Sequence, residues 1–127
     1  MPEIIRALKK QKKAATVGFD WPDVNGVFDK LNEEIAEIRV EFANGVGHEA
    51  LQDEIGDLLF VSVNLARHAK VDFGAALRQA NRKFERRFRA MEAIAIQNKT
   101  SMSQLSLSEQ ESLWQHVKLQ EKVNESI

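Results

Sequence analysis

At 127 residues, with 43% hydrophobic and 29% charged residues but only six Gly and two Pro, the chain is long enough for one folded domain and has a helical rather than a disordered or fibrous profile. It has no cysteine, which excludes disulfides, thiolate zinc sites and thiol nucleophiles, leaves any metal to oxygen or imidazole, and makes the reducing cytoplasm the expected setting. A formal net charge of -1 supplies no global basic field for nucleic acid or an anionic membrane, and the longest apolar run, about ten residues broken by Ser62 and Asn64, is far short of the roughly 20 that span a bilayer.

Periodicity predicts five helices and no strand. The first, about 2–15, sets a basic face (Lys9, Lys10, Lys12, Lys13) opposite Ile5 and Leu8, and reads equally as a core helix or as a linker remnant within 1–18. Its lysines are not followed by the apolar stretch of an export signal, so a soluble protein is expected. The second follows GFDWPD, with Pro22 suited to the first helical position and Asp20 or Asp23 to the positive end of the dipole, and stops at Asn44-Gly45. Val24, Val27, Phe28, Leu31, Ile35, Ile38 and Phe42 form its apolar stripe.

The third helix, about 48–69, carries Leu51, Ile55, Leu58, Ser62, Leu65 and Ala69 on its stripe. Phe60, Val61 and Val63 lie off it, so beyond two turns the helix is apolar nearly all round and is expected to be central or at a subunit interface. Asp72 caps a fourth helix over 73–97, with Leu77, Ala80, Phe84, Phe88, Met91 and Ala95 on one side. After NKTSMSQLS, two overlapping capping boxes (Ser106 with Glu109, Ser108 with Glu111) open a last helix bearing Leu113, Trp114, Val117 and Val123. The fold class is all-α, a helical bundle forming one domain over 1–127.

The acids carry the chemistry. Measured from the stripe, Glu34 and Glu37 fall about 60 and 120 degrees to one side of the second helix, and Glu54 and Asp57 fall at about the same angles on the third. Acids three or four apart are ordinarily a solvated face, but two matched pairs brought together by antiparallel packing repel by up to about 4 kcal/mol at roughly 4 Å, which implies a compensating cation. Carboxylate oxygens without cysteine or paired histidine suit Mg²⁺ or Mn²⁺, as one ion or two. Gly56 keeps bulk out of the turn between Glu54 and Asp57, either for close approach of a helix or ligand or for plain packing. On the fourth helix Lys83 and Arg87 lie about 100 and 60 degrees off the stripe, while Arg82, Arg86 and Arg89 point outward as a solvated face. Carboxylates holding a metal beside a Lys and an Arg make a polyphosphate site.

EEIAE (Glu33 to Glu37) followed by EIGD (Glu54 to Asp57) resembles the EExxE and ExxD motifs of the MazG family of nucleoside triphosphate pyrophosphohydrolases. VGFDW, GDLLF, VNLARH and ANRKFERRF resemble that family's C-terminal catalytic domain, over nearly the whole chain. The resemblance implies an all-α domain, a homodimer or higher oligomer, that uses Mg²⁺ to hydrolyse NTPs or dNTPs to monophosphate and pyrophosphate, as in house-cleaning of the nucleotide pool. It makes Glu34, Glu37, Glu54 and Asp57 the metal ligands, and Lys30, Glu33, Asp53, Lys83, Arg87, Trp114 and Lys118 residues that contact nucleotide or support the site.

Asp53 replaces a common Glu and keeps its charge, whereas Ala50 stands where some relatives have lysine, so a phosphate contact is missing or comes from Lys30 or Lys118. Full-length members carry two such domains and this chain has one, as a fragment or a single-domain relative. In the implied reaction Glu37 or Glu33 orients or deprotonates water, and Lys83 and Arg87 meet charge on the leaving group.

Phe19, Trp21 and Trp114 are candidates for stacking on a base, though core packing is the commoner role, and only Trp114 has the resemblance strongly in its favour. His48, His68 and His116 read as surface or capping residues. Two other readings compete. One is a non-catalytic helical interaction module with a solvated acidic face. The other is nucleic-acid binding through NRKFERRFR, against which the net charge and the adjacent acids argue.

Overall fold

A computed structural model describes residues 2–45 and 47–126. Five α-helices follow one another: α1 (Pro2–Thr16), α2 (Val24–Asn44), α3 (His48–His68), α4 (Phe73–Gln97) and α5 (Leu107–Glu125), with one 3-10 turn at Met102–Gln104. Among the described residues there is no strand and no helix long and apolar enough to cross a membrane. The all-α expectation holds. The chain divides into two compact units, Met1–Ala76 and Leu77–Ile127, with the division falling inside α4.

Local chemistry sets the helix ends. Asp23 is extended (φ -151°) and its side chain accepts from the Asn25 amide at 2.8 Å, so α2 starts at Val24 and Pro22 lies outside it. A carboxylate that satisfies an orphan N–H outweighs the preset φ of proline. Gly45 ends α2 in the left-handed region at φ 65°, with its amide directed at the Glu41 and Phe42 carbonyls. Asp72 Oδ1 accepts from the Ala75 amide at 2.9 Å at the start of α4. Ser106 and Glu109 form the capping box of α5. That start leaves Ser108 inside the first turn, so the alternative box with Glu111 does not set the boundary.

In the first unit α2 and α3 form the main packed pair, and α1 lies on α3. The pair is antiparallel: Asp57 feels Glu34, whereas Glu54, one turn earlier on α3, feels Glu37 and Glu41, further along α2. Val27, Val61 and Val63 are buried, together with Gln11, Glu34 and Asn64. Gln11 Nε2 donates to the Phe60 carbonyl at 2.9 Å and ties α1 to the middle of α3.

In the second unit Met91, Ala95 and Val117 are buried, and Gln110 Nε2 donates to the Met102 carbonyl at 2.8 Å. Of the expected α4 stripe only Met91 and Ala95 are covered, and Leu77, Ala80, Phe84 and Phe88 remain exposed. Phe84 stacks on Phe88 with ring centroids 5.9 Å apart and tilts against Trp114 at 5.7 Å. Val123 of α5 is exposed as well.

Candidate active site

The face of α2 that meets α3 runs through Val27, Leu31, Glu34, Ile38 and Glu41, at helical spacings of four and three. This is a rotation from the stripe expected from sequence. Glu34 is only 3% exposed, whereas Phe28, Ile35 and Phe42, each seven residues from the next, are 42–65% exposed. The reason is that α3 covers the edge of the stripe that holds the acids and leaves its aromatic edge open.

Three carboxylates converge there. One oxygen from each of Glu34, Glu54 and Asp57 lies within 4.8 Å of the others. Glu34 is buried, Glu54 half-buried and Asp57 exposed, so the cluster opens to solvent on the Asp57 side. Lys30 Nζ reaches Glu34 Oε1 at 3.1 Å and Glu33 at 3.2 Å, which raises the lysine's pKa. Glu34 Oε2, Glu54 Oε2 and Glu41 Oε2 are buried without a hydrogen-bond partner. A buried carboxylate oxygen without a donor is costly, so two in the trio and a third on neighbouring Glu41 mark a set still short of positive charge.

The titration of these groups says the same. A hydrogen bond shared with Glu37, then burial, then the charges of Glu37 and Glu41 and a hydrogen bond with Glu34 push Glu54 up to about 7. Burial, with the charges of Asp53 and Glu34, raises Asp57 against the opposing pull of Lys30. Both are the behaviour of carboxylates crowded by their own kind.

Glu37, expected among the ligands, lies against Glu54 but outside the converging trio, and Glu33 and Asp53 are exposed beside it. Glu41 was missed from sequence. Its signal was present in the seven-residue spacing Val27, Glu34, Glu41, which puts it on the buried face. At Gly56 an added Cβ would meet nothing within 4 Å, so no neighbour within the chain requires glycine there.

The remaining candidates stand in the second unit. Lys83 and Lys118 are exposed. Arg87, expected to face phosphate, has its Nε 2.9 Å from Glu121 Oε1 and its guanidinium 5.3 Å above the Trp114 ring. Arg86 reaches the other Glu121 oxygen at 2.8 Å, and Arg89 pairs with Glu85, so these two are not merely solvated. Hydrogen bonds from Arg86 and then Arg87 bring Glu121 down to about 2.

Asp20 and His68 also depart from expectation. Asp20 does not cap α2. Its Oδ1 accepts from Arg67 Nη2 at 2.6 Å and the Trp21 amide at 2.9 Å, and lies 3.0 Å from His68 Nε2. Arg67 first, with His68 assisting against burial, lowers Asp20 to about 2. Loop 17–23 is thereby pinned to the end of α3.

Comparison with known proteins places this arrangement. The description "MazG nucleotide pyrophosphohydrolase domain" matches residues 2–91, which contain the whole acidic cluster. The chain is 47% identical over 122 residues to the nucleoside triphosphate pyrophosphohydrolase of Escherichia coli strain K12, covering 95% of this chain and 46% of that protein. It is 36% identical over 118 residues to the nucleoside triphosphate pyrophosphohydrolase/pyrophosphatase MazG of Thermotoga maritima, covering 93% and 45%. It thus spans less than half the length of these relatives. With most of its helices matched and nearly all of its length aligned to such relatives, the chain belongs to the MazG nucleotide pyrophosphohydrolase domain family.

Proposed function

We propose that this domain hydrolyses nucleoside triphosphates, ribo- or deoxyribo-, between the α and β phosphates, giving monophosphate and pyrophosphate with the help of a divalent metal. The names of its relatives supply the reaction class. The observation that carries the reading is the convergence of Glu34, Glu54 and Asp57 within 4.8 Å, with unpartnered oxygens on two of them.

That donor set fits a hard cation. It is all oxygen, it holds more negative charge than Lys30 offsets, and it is open on one side, as an ion that keeps water and phosphate ligands requires. Glu34, Glu54 and Asp57 would hold Mg²⁺ or Mn²⁺. Such an ion would supply charge neutralisation on the phosphates and a lower pKa for an attacking water. Lys30 holds Glu34 through its 3.1 Å contact. Glu37 is exposed and lies against Glu54, so it can accept a proton from water at the edge of the cluster once Glu54 is held as a carboxylate. Glu33, tethered by Lys30, is the second candidate for that role.

A homodimer or larger assembly in the cytoplasm belongs to the same reading. It is supported by the exposed row Phe28, Ile35 and Phe42 on α2, together with Leu59 on α3, more apolar side chain than an isolated helical hairpin leaves in water. House-cleaning of the nucleotide pool is the corresponding physiological role.

The deciding experiment follows pyrophosphate release from a panel of triphosphates, with Mg²⁺ and with chelator, for the parent, Glu54→Gln and Asp57→Asn. Metal-dependent release by the parent, lost in both variants, supports the proposal. Equal turnover by all three overturns it.

A further inference from the structure

The second unit holds an arrangement that the acidic cluster does not explain. On α5, Trp114, Val117 and Glu121 recur at i, i+3 and i+7 and share one face. Val117 is buried, so this is the face that packs. Arg87 of α4 meets both ends of it. Its Nε donates to Glu121 Oε1 at 2.9 Å, and its guanidinium lies 5.3 Å above the Trp114 ring.

These two contacts fix the guanidinium without satisfying it. Glu121 takes the Nε edge and Trp114 covers one face, which together set the plane of a rigid, flat group. Trp114 is itself backed by Phe84, 5.7 Å away, which stacks on Phe88. The remaining donors of Arg87 are on Nη1 and Nη2, and among the described residues they meet no acceptor. The side chain is only 16% exposed, so water is a poor substitute.

Charge points the same way. Arg86 Nε takes the other oxygen of Glu121 at 2.8 Å, so two arginines share one carboxylate and the cluster keeps a surplus of positive charge. Arg86 is 60% exposed and also feels Glu125, which leaves the uncompensated charge on Arg87. Because Arg86 and Arg87 bring Glu121 down to about 2, the carboxylate stays ionised at any working pH.

We propose that Glu121 is a positioning residue for triphosphate hydrolysis, gripping the Nε edge of Arg87 so that the edge carrying Nη1 and Nη2 is presented to two oxygens of a phosphate. The proposal rests on the triphosphate reading above, with Arg87 meeting charge on the leaving group, and adds the residue that aims it. A two-pronged arginine–phosphate contact forms only when the plane of the fork matches the oxygens, and a plane set beforehand saves the ordering that the reaction otherwise requires. A carboxylate that merely neutralised Arg87 would compete with phosphate for it, which gives the opposite sign.

The test is a double-mutant cycle on the full chain, with kcat/KM for ATP and Mg²⁺ measured in the parent, Glu121→Gln, Arg87→Ala and the double variant, well below the Tm of each. Glu121→Gln is expected to lower kcat/KM by about 10-fold, because a small misplacement of an aimed group is costly. In the Arg87→Ala background the same substitution should change kcat/KM by less than about 2-fold, since no arginine is left to aim.

Equal losses in the two backgrounds mark a purely structural glutamate and overturn the proposal, leaving the triphosphate reading standing. An unchanged or raised kcat/KM in Glu121→Gln overturns it as well. Should Glu121→Gln not fold, Glu121→Asp, which keeps the charge but draws the carboxylate back by a methylene, is read through the same cycle. If the parent hydrolyses no triphosphate, the earlier reading fails and Glu121 is judged by binding of pyrophosphate, followed by tryptophan fluorescence. A signal that vanishes in Trp114→Phe and needs about 10-fold more pyrophosphate in Glu121→Gln supports the positioning role. Equal affinities, or no binding, overturn it.

Discussion

Two carboxylate clusters, one in each compact unit, show how far the same group can be driven in opposite directions. On α2 and α3, Glu54 is surrounded by Glu37, Glu41 and Glu34 and is pushed up to about 7. On α4 and α5, Glu121 accepts from Arg86 and Arg87 and is brought down to about 2. The second cluster is complete: both oxygens are paired, and Arg87 also lies over Trp114. The first has only Lys30 against Glu34 and leaves three buried oxygens unpartnered. The same chain neutralises Glu121 thoroughly yet leaves Glu54 among acids, the contrast on which the proposed metal site rests.

The largest effect that sharpens this contrast is catalytic. Asp57→Asn and Glu54→Gln each remove one of the converging donors. Loss of groups that merely support metal ligands costs about 10–100-fold, so each variant is expected to lose at least about 100-fold in pyrophosphate release. The same Glu54→Gln protein should melt no lower than the parent in chelator at pH 7, because it relieves the crowding of acids described above. A Glu54→Gln variant that is both inactive and clearly less stable without metal would break the comparison, because its glutamate would then be structural.

Metal itself should move stability next. A cation that binds only the folded chain, at about 100 times its Kd, stabilises by about 2.7 kcal/mol. For a domain of this size that is on the order of 10 °C in Tm. The expected reading is a Mg²⁺-dependent shift of that order in the parent and almost none in Asp57→Asn, by differential scanning fluorimetry.

The pH dependence carries a definite sign. Glu54, raised from 4.5 to about 7, binds more protons folded than unfolded between those values, so without metal its contribution makes stability fall as pH rises from about 4.5 to 7. Asp57, also raised, acts in the same direction. Urea titrations in chelator at pH 5 and pH 7.5 should show the fall, and Mg²⁺ should flatten it. Glu41→Gln removes one of the charges that raise Glu54, so it should make the fall with pH smaller without abolishing turnover, since Glu41 is not among the converging donors.

Much of this was legible in the sequence because it is local or periodic. Helix ends followed Asp72, the Ser106 capping box and Gly45, where one side chain or one φ decides the boundary. Pairing of Glu34 with Glu54 and Asp57 followed from helical angles and a tight hairpin. What escaped was choice among partners. Sequence placed Glu34 on a flank because hydrophobicity defined the stripe, whereas α3 covers the edge that includes Glu34 and Glu41. Likewise Asp20 had a helix start within reach but is bound by Arg67, 47 residues away. Arg87 is engaged by Glu121, 34 residues away. Periodicity says nothing about separations of that kind.

The smallest effect expected is at Glu121, and its sign completes the comparison. A carboxyl held at about 2 when folded, against 4.5 unfolded, contributes stability that is fully present above pH 4.5 and is lost as pH falls toward 2. Glu121→Gln should therefore lower Tm at pH 7, by about 2–4 °C, because partly exposed ion pairs are weakened by solvent and salt. The deficit should shrink as pH falls from 4.5 to 2 and also at high salt. At pH 7 in chelator, replacing a glutamate by glutamine is thus destabilising at 121 and neutral or stabilising at 54. If both substitutions moved Tm the same way, the α2–α3 acids would be as well compensated as Glu121, and the case for an external cation there would lose its physical basis.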